Sequence, residues 1–453
     1  MKPRPDLPPG PYLIVGLARS GIAAALALRA KGEEVLGVDA GVPDGLEALV
    51  EAGVDLHLGE QGVALLERAR TLVKSPGVPA QAPAIAQARS RGVPVVGELE
   101  LAWRLLPNEF IAVTGTNGKT TTVELIGHIH REAGFAVVVA GNVGTALSGL
   151  DGRIDEHVTI VCEASSFQLE DTLAFAPEAA VLLNLTPDHL DRHGTIEAYL
   201  AAKLEIFARQ QSQDLAVAPA EFQPEGLPGR ARRVSFGSDP DAQLSVREGT
   251  LYWRGRALLA SSELSLRGRH NLENAMAAAA VCLARGLDIE AVRAGLRGFA
   301  GVPHRLEHVA RKQGVLFVND SKATNVASTL VALEAMAAEH LPVHLILGGQ
   351  AKAQDFTALR GPVGAGCRAI YLIGEDAHII ERAIGGGEAE RQAIGGEQVE
   401  VHMCGDLDHA LSLAAATAVR GEVVLLSPGC ASFDQFADFE ARGERFRELV
   451  QQL

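Results

Sequence analysis

The chain has few aromatic residues, few cysteines and no excess of positive charge. Phe, Tyr and Trp together make up 4% of its 453 residues, and much of its 47% hydrophobic content is Ala, Val and Leu. This composition is typical of helices packed on buried parallel strands. The formal net charge of −15 argues against nucleic acid or an anionic membrane as the main partner. An anionic ligand must therefore meet local positive charge.

The five cysteines lie far apart and form no CxxC pair. A disulfide framework or a zinc site is therefore not expected, and a reducing cytoplasm is the predicted location. No apolar run approaches the ~18 residues of a membrane-spanning helix, so membrane insertion is not expected either. The length favours two or three domains, and we expect the chain to act as a monomer.

Short β-branched runs alternate with Ala- and Leu-rich stretches along most of the chain. This alternation predicts an α/β fold: N- and C-terminal Rossmann-like open parallel sheets around a central phosphate-loop domain. Over residues 231–259 the period approaches two and turn residues multiply, which predicts antiparallel hairpins and a small side sheet. The predicted domains are residues 1–107, 108–302 and 303–453. Helices are expected over residues 270–285, 289–299 and 434–451.

Residues 111–122, IAVTGTNGKTTT, are typical of a strand that enters a phosphate-binding loop and then a helix. In such loops the backbone N–H groups and the lysine hold a polyphosphate, and the following hydroxyl binds Mg²⁺. This loop is shorter than GxxxxGK[ST], because Val113 stands where the first glycine would be. The predicted loop contacts are Gly115, Thr116, Asn117, Gly118, Lys119, Thr120, Thr121 and Thr122.

The first glycine-rich turn, GLARSG at residues 16–21, lacks the middle glycine of GxGxxG. A nicotinamide cofactor is therefore not expected. Two interpretations of this turn stay open: a plain structural turn and a pocket for a nucleotide diphosphate.

Polar side chains also follow the strands downstream of the phosphate loop. Glu163 ends one apolar run, Asn142 lies between two glycines, and His189 belongs to DHLDRHG. Ser165 and Gln168 closely follow Glu163. A carboxylate at a strand end beside a phosphate loop is the usual second anchor for Mg²⁺. His189 is either a ligand or a structural histidine, and the spacing of DHLDRH matches no common zinc pattern.

Lys203 lies in YLAAKLEIF, between alanine and leucine. From the residues alone, a lysine whose stem lies along the protein surface is the simplest interpretation.

Together these motifs resemble those of the ATP-dependent Mur ligases, in particular the D-glutamate-adding members. The resemblance covers nearly the whole chain and rests on TGTNGKTT, GNVG, EASSFQLE, DHLDRHG, YLAAKLEIF, GRHNLENAMAA, GVPHRLE, NDSKATN, GGQAKAQDF and SPGCASFDQF. It implies an N-terminal domain for a UDP-sugar, a central ATPase and a C-terminal domain for an amino acid. The implied activity is addition of D-glutamate to UDP-N-acetylmuramoyl-L-alanine through an acyl phosphate, in cytoplasmic peptidoglycan precursor synthesis.

The resemblance also implies roles for single residues. It implies two Mg²⁺ ions and a Lys203 that takes up CO₂ to become an anionic metal ligand. The implied metal ligands are Thr120, Glu163, His189 and Lys203. The implied catalytic groups are Lys119, His189, Lys203 and Lys322. Besides the loop, the implied contacts with ATP are Asn271, Asn274, Arg305 and Asp320. The implied substrate contacts are Ser20, Asp39, Ser75, Gly77, Asn142, Ser165, Gln168, Thr324, Lys352, Ser432 and Phe439.

Three alternatives stay open. The first is another Mur-type amide ligase, either L-alanine-adding or folate-polyglutamating, and NDSKATN and SPGCASFDQF speak against it. The second is a phosphate-loop kinase or ATPase, which does not need a third α/β domain. The third is a non-catalytic nucleotide-binding protein, which would be expected to have lost Lys119, Glu163 or Lys203.

Overall fold

The computed structural model describes residues 2–43, 45–142, 144–222, 226–266, 268–351, 354–385 and 399–453. The chain divides into two compact units, Met1–Phe299 and Ala300–Leu453. Across the described ranges, two sheets lie in the first unit and one sheet lies in the second. Most strand pairs are parallel, which confirms the predicted α/β class. The domain boundaries expected at residues 107 and 302 stay predictions.

The first sheet is entirely parallel. Its strands are β1 (Tyr12–Val15), β2 (Val35–Asp39), β3 (Asp55–Leu58), β4 (Thr71–Lys74) and β5 (Val95–Gly97), in the order β3-β2-β1-β4-β5. Its helices are α1 (Arg19–Ala30), α2 (Glu47–Glu51), α3 (Pro83–Ser90) and α4 (Glu98–Leu105). The strand order reverses between β1 and β4, and ligands of such sheets bind beyond the carboxyl ends of the strands at this point.

Helix α4 joins the first sheet to the second within the same unit. The ring of Trp103 meets that of Phe175 edge-on, with centroids 5.9 Å apart. The buried carboxylate of Glu100 accepts hydrogen bonds from the three successive N–H groups of residues 173–175. Glu100, Trp103 and Phe175 are buried, and Trp103 belongs to the same core cluster as residues of the second sheet, so α4 packs into that core.

The second sheet is larger and mixed. Its strands are β6 (Phe110–Thr114), β7 (Val137–Gly141), β8 (Thr159–Glu163), β9 (Ala179–Leu182), β10 (Leu215–Pro219), β11 (Arg232–Gly237), β12 (Leu244–Arg247), β13 (Thr250–Trp253) and β14 (Arg256–Ala260). The order is β14-β13-β12-β11-β10-β9-β6-β8-β7. Its helices are α5 (Lys119–Glu132), α6 (Ser166–Leu169), α7 (Leu190–His193), α8 (Ile196–Ala208), α9 (Arg269–Ala284) and α10 (Ile289–Gly298).

The predicted hairpins differ from the structure in one respect. Strands β12, β13 and β14 pair antiparallel, but β10, β11 and β12 pair in parallel and extend the main sheet. Val234 and Phe236 of β11 are buried, and α9 packs on this strand. The side strands therefore continue the central sheet through β11, and α9 covers β11.

The second unit contains a sheet with one antiparallel edge. Its strands are β15 (Glu307–Lys312), β16 (Val315–Asn319), β17 (Val343–Gly348), β18 (Cys367–Ile373), β19 (Glu400–Gly405) and β20 (Val423–Leu426), in the order β15-β16-β20-β17-β18-β19. Its helices are α11 (Val326–Ala338), α12 (Arg360–Gly366), α13 (Ala377–Gly385), α14 (Leu407–Thr417) and α15 (Phe439–Gln452). β15 pairs antiparallel with β16 and was not predicted.

The last helix was predicted to start at residue 434 but begins at Phe439. The carboxylate of Asp438 accepts a hydrogen bond from the N–H of Ala441 at 2.7 Å and so caps the helix. Capping by aspartate satisfies one of the free N–H groups of the first turn. Among the helices described, none is long and apolar enough to cross a bilayer.

Candidate active site

The predicted phosphate loop connects β6 to α5. Gly118 has a φ of 82°, and a Cβ added there would lie 2.1 Å from Oδ1 of Asn274, so the loop needs glycine at this point. Lys119 begins α5, and its Nζ donates to the carbonyl oxygens of Gly115 (3.0 Å) and Thr116 (2.8 Å). The lysine therefore lies over its own loop, where such loops hold the phosphates of a nucleotide.

Helix α9 carries two more of the predicted nucleotide contacts. Asn274 is 4% exposed, and its amide donates to Oδ1 of Asn271 at 3.4 Å. Asn274 also lies against Gly118, as described above, so the structure brings these asparagines to the loop. Thr121 is half-buried and Thr122 fully buried in the first turn of α5.

Asn184 braces the loop, although sequence reasoning missed it. Its side-chain oxygen accepts hydrogen bonds from the N–H groups of Thr116 (3.1 Å) and Asn117 (3.0 Å). Its own amide group donates to the carbonyl of Asn117 at 3.1 Å. The available signal was its position just after a buried apolar strand, the same signal that identified Glu163.

Glu163 lies at the end of β8 and is 3% exposed. Its Oε2 accepts a hydrogen bond from the hydroxyl of Thr120 at 2.7 Å, and its Oε1 accepts one from Nδ2 of Asn142 at 3.1 Å. The structure thus brings together three residues that the sequence had predicted for one site. A hydroxyl and a carboxylate are hard oxygen donors, the type of ligand that Mg²⁺ prefers.

Lys203 lies on α8 and is 1% exposed, so the surface interpretation of this residue is wrong. Its Nζ donates to the carbonyl of Gly115 at 2.8 Å and lies 4.3 Å from the ring centroid of Tyr199. Burial, and then the charge of Lys119, lower the pKa of Lys203 from 10.5 to about 7, while Asp188 opposes the shift. A lysine with this pKa is largely neutral in mildly alkaline solution.

His189 has a more open environment. Its side chain is 49% exposed, its φ is 51°, and its N–H donates to the carboxylate of Asp188 at 2.8 Å. Its ring lies 4.9 Å from that of Phe167, between centroids. In the described part of the chain, no three His, Cys, Asp or Glu side chains gather as a metal site. The roles of His189 as metal ligand and catalytic group therefore stay predictions.

A cavity of about 300 Å³ opens beside the carboxyl ends of β1 and β4. It is lined by Ala18, Arg19, Ser20, Pro76, Gly77, Glu98, Gly141, Asn142, Gly144, Ala146 and Gln168. The predicted substrate contacts Ser20, Gly77 and Gln168 lie in its wall, as does Asn142. Because Asn142 also contacts Glu163, the cavity and the phosphate loop meet at this carboxylate.

Two other predicted substrate contacts brace the loops of the first sheet. The carboxylate of Asp39 accepts hydrogen bonds from the N–H groups of Leu17 (2.7 Å) and Gly41 (2.9 Å). The hydroxyl of Ser75 donates to the carbonyl of Gly16 at 2.6 Å. These bonds give both side chains a structural role, and their contacts with substrate stay predictions.

The cavity wall also contains two groups held by local hydrogen bonds. Ser165 and Gln168 form a reciprocal cap at the start of α6, with Oε1 of Gln168 accepting from the N–H of Ser165 at 3.0 Å. Glu98, which sequence reasoning missed, accepts from the N–H and the hydroxyl of Ser148, each at 2.6 Å. Burial raises the pKa of Glu98. The wall is therefore well defined by its own bonds.

The residues predicted to bind the amino acid lie in the second unit. Nζ of Lys322 is 5.9 Å from the ring centroid of Phe439, and its carbonyl accepts a hydrogen bond from the N–H of Thr324 at 2.9 Å. Ser432 is 2% exposed. The structure thus brings Lys322 close to two of the predicted residues, while Lys352 lies outside the described residues.

Asp320 follows β16 and is deeply buried. Its carboxylate accepts hydrogen bonds from the N–H of Leu306 (3.1 Å) and the hydroxyl of Ser427 (2.8 Å). Burial raises the pKa of Asp320 from 3.8 to about 7, against the effect of these bonds and of the charge of Arg305. Arg305 itself is exposed. Contact of either residue with ATP stays a prediction.

Arg442, on α15, was also missed by sequence reasoning. It is 1% exposed and donates to the hydroxyl (3.0 Å) and carbonyl (2.9 Å) of Ser321 and to the carbonyl of Cys430 (3.1 Å). Burial lowers the pKa of Arg442 from 12.5 to about 10. This guanidinium therefore ties the loop after β16 to the loop after β20, which carry the predicted amino-acid contacts.

Three family models match the chain along its length. The "Mur ligase MurD-like, N-terminal domain" matches residues 11–97, the "Mur ligase middle domain" matches 113–282, and the "Mur ligase, glutamate ligase domain" matches 304–430. The UDP-N-acetylmuramoylalanine–D-glutamate ligase of Koribacter versatilis is 40% identical over 456 residues, 97% of each chain. The chain belongs to the Mur ligase family. The ligase of the same name from Anaeromyxobacter dehalogenans is 43% identical over 470 residues, 98% of each chain.

Solved structures of other Mur ligases share the fold of this one. UDP-N-acetylmuramate–alanine ligase MurC from Thermotoga maritima has a TM-score of 0.55 at 19% identity, covering 97% of this chain and 99% of that one. MurF from Acinetobacter baumannii has a TM-score of 0.54 at 18% identity, covering 96% and 93%. At such identities the likeness shows the fold alone. The family assigned from the motifs is confirmed by the models and the relatives together.

Proposed function

We propose that this Mur ligase uses ATP to join D-glutamate to UDP-N-acetylmuramoyl-L-alanine, a step of peptidoglycan precursor synthesis. The observation that carries the proposal is the position of Glu163 between the phosphate loop and the cavity. One of its oxygens meets Thr120 of the loop, and the other meets Asn142 of the cavity wall. A phosphate donor in the loop and a carboxylate in the cavity would thus lie side by side. The names of the relatives supply the identities of the two substrates.

The chemistry follows from the weakness of a carboxylate as an electrophile. The alanyl carboxylate attacks the γ-phosphate of ATP, the P–O bond to ADP breaks, and an acyl phosphate forms. The α-amine of D-glutamate then attacks the acyl carbon, the C–O bond breaks, phosphate leaves and the amine loses a proton. Lys119 and the N–H groups of the loop stabilise the charge that spreads over the transferring phosphoryl group.

The donors around the loop fit a magnesium ion. The Thr120 hydroxyl and the Glu163 carboxylate are buried and in contact, and a carbamate on Lys203 would add anionic oxygens near Gly115. A bound Mg²⁺ neutralises charge on the nucleotide phosphates. The resemblance implies two Mg²⁺ ions, with His189 among their ligands. The neutral amine that carbamylation requires is supported by the lowered pKa of Lys203.

Recognition of D-glutamate is assigned to the second unit. An amino acid with two carboxylates needs cations and hydroxyl donors, since charge-assisted hydrogen bonds are the strong ones. Lys322 and Thr324 offer such groups on one loop, and Ser432 offers another hydroxyl on the loop after β20. These residues support a dicarboxylate as the acceptor.

A cytoplasmic location and action as a monomer are also part of the proposal. The five cysteines are free and buried, and burial raises the pKa of the Cys162 and Cys282 thiols. Buried thiols of this kind are unreactive, which fits a reducing compartment without requiring one.

The test is phosphate release from ATP with Mg²⁺ and UDP-N-acetylmuramoyl-L-alanine, comparing D-glutamate, L-glutamate and L-alanine as acceptors. We expect release with D-glutamate alone, accompanied by a matching mass increase of the sugar nucleotide. Release without any acceptor would indicate an ATPase or kinase. Release with L-glutamate or L-alanine instead would indicate a ligase of different amino-acid specificity.

A further inference from the structure

The turn after β4, residues 75–78, forms one wall of the cavity through Pro76 and Gly77. This turn belongs to the first sheet. The facing residues Asn142 and Gln168 belong to segments of the second sheet. The width of the cavity therefore depends on how the turn is held against the second sheet, and two cations hold it.

Lys74 is the first of these cations. Its side chain is 0% exposed, and its Nζ lies 2.7 Å from Oδ2 of Asp171, which is 2% exposed. The same Nζ donates to the carbonyl of Val78 at 3.2 Å. Asp171 lies just after α6, the helix that carries Gln168, and its carbonyl accepts a hydrogen bond from the N–H of Gly97 at 2.8 Å. One ammonium group thus links the turn to the helix of the opposite wall.

Because Lys74 is buried, its charge needs the partner that Asp171 provides. Burial lowers the pKa of Lys74, and the neighbouring Asp171 opposes that shift. Removing a charge from water is strongly unfavourable unless a partner compensates it. Arg89 contacts the other oxygen of Asp171 at 2.9 Å but is 44% exposed, so it does not replace the buried ammonium.

Arg192 lies on α7, after β9 of the second sheet, and contacts the same turn. Its Nη1 donates to the carbonyl of Pro76 at 3.1 Å, and its Nη2 donates to that of Val78 at 3.4 Å. Its guanidinium carbon lies 3.7 Å from the ring centroid of Phe167 on α6. The carbonyl groups of the turn therefore face two cations. Lys74 is paired with Asp171 beside the second sheet, and Arg192 itself belongs to a helix of that sheet.

We propose that Lys74 and Arg192 are positioning residues that hold residues 75–78 at the distance from Asn142 and Gln168 at which the sugar nucleotide binds. The identity of that ligand rests on the proposed function. Both cations act on backbone carbonyls of the turn, which lines the cavity. Loss of either therefore weakens binding of the sugar nucleotide and leaves binding of ATP unchanged.

The chain offers a matched control in Lys31. Its Nζ lies 2.9 Å from Oδ2 of Asp151, so it also connects the first sheet to the second. The Lys31 side chain is 45% exposed and lies apart from the residues that line the cavity. Exposed ion pairs contribute little to stability, so the same substitution here removes a bridge without moving the turn.

The experiment measures the dissociation constants of UDP-N-acetylmuramoyl-L-alanine and of ATP by calorimetry for Lys74→Met, Arg192→Met and Lys31→Met. The bonds that are lost lie within the protein and hold the turn in its binding position, so in the variants part of the binding free energy must be used to order the turn. We therefore expect a loss of about tenfold or more in affinity for the sugar nucleotide in the first two variants. ATP binding in those variants, and both ligands in Lys31→Met, should stay within about twofold of the parent protein.

Sugar-nucleotide binding within about twofold of the parent in Lys74→Met and Arg192→Met overturns the proposal. An equal loss for both ligands also overturns it, because that result indicates general destabilisation. If Lys74→Met does not fold, Arg192→Met decides, because it leaves no buried carboxylate unpaired. A parent protein that binds no sugar nucleotide overturns the proposed function and this proposal together, whereas normal binding by parent and variants overturns this proposal alone.

Discussion

The buried amine of Lys203 leads to a quantitative prediction about its modification. Its pKa is lowered from 10.5 to about 7. At about pH 8 the neutral fraction of the amine then rises from about 0.003 to about 0.9, an increase of about 300-fold. Because only the neutral amine reacts with CO₂, carbamylation should be extensive in neutral to mildly alkaline solution. Carbamate formation releases a proton and is therefore favoured by high pH, but at a fixed bicarbonate concentration the concentration of CO₂ falls with pH in the same proportion. These two effects cancel, so the amount of carbamate follows the neutral fraction of the amine.

The assay is ¹³C NMR of the protein in ¹³C-labelled bicarbonate, over a pH series from about 6 to about 10. We expect a carbamate resonance that rises towards a plateau around neutral pH and is absent in Lys203→Arg. In Lys119→Met the rise should move to higher pH, because the charge of Lys119 is the second cause of the low pKa. A resonance that appears only near the pH at which an ordinary lysine titrates, or that persists in Lys203→Arg, would refute the reasoning.

Three further predictions concern other buried groups. Thr120→Val removes the hydroxyl that contacts the buried carboxylate of Glu163. It should lower phosphate release by about a hundredfold under conditions in which circular dichroism shows the variant folded; wild-type release would contradict this. Glu100→Gln weakens three hydrogen bonds to residues 173–175, one of them buried and two partly buried. It should lower the unfolding free energy measured in urea by about 2 to 3 kcal/mol, whereas a change below about 0.5 kcal/mol would argue against it. Asp320, with a pKa raised from 3.8 to about 7, binds a proton in the folded state that the unfolded chain releases. Its stabilising contribution, up to about 4 kcal/mol, is present at low pH and lost as the pH rises towards neutrality. Calorimetry between about pH 4 and pH 7 should show this decline in unfolding free energy in the parent protein and not in Asp320→Asn. An equal decline in both proteins would exclude Asp320 as its cause.

The fold class could be predicted from sequence because buried parallel strands produce continuous apolar runs. The strand Val315–Asn319 and the phosphate-loop strand Phe110–Thr114 are fully buried along their length, and both were found by their composition. The edge strand Glu307–Lys312 was missed, because it is largely half-buried and its pairing with β16 depends on tertiary contacts. The parallel pairing of Arg232–Gly237 was missed for the same reason, since α9 covers it from a distant part of the chain.

The site divides along a similar line. The phosphate loop and Glu163 are local patterns, a glycine-rich turn and a carboxylate at a strand end, so their sequence alone indicates their chemistry. The burial of Lys203 depends on the loop carbonyl of Gly115, which is distant in sequence, although Tyr199 of its own motif also contacts it. The burial of the Lys74 ammonium group depends on the carboxylate of Asp171, almost a hundred residues away in the chain. Packing between distant segments therefore decides what periodicity and motifs leave open.

Transfer of oxygen from the sugar nucleotide to phosphate tests most directly whether the bound carboxylate is phosphorylated. UDP-N-acetylmuramoyl-L-alanine labelled with ¹⁸O in its alanyl carboxylate would be incubated with ATP, Mg²⁺ and D-glutamate, and the released phosphate analysed by mass spectrometry. Attack of the carboxylate on the γ-phosphate predicts one ¹⁸O atom in each phosphate released, because the acyl C–O bond breaks when the amine attacks. Unlabelled phosphate would show that water receives the phosphoryl group, and would contradict ligation through an acyl phosphate.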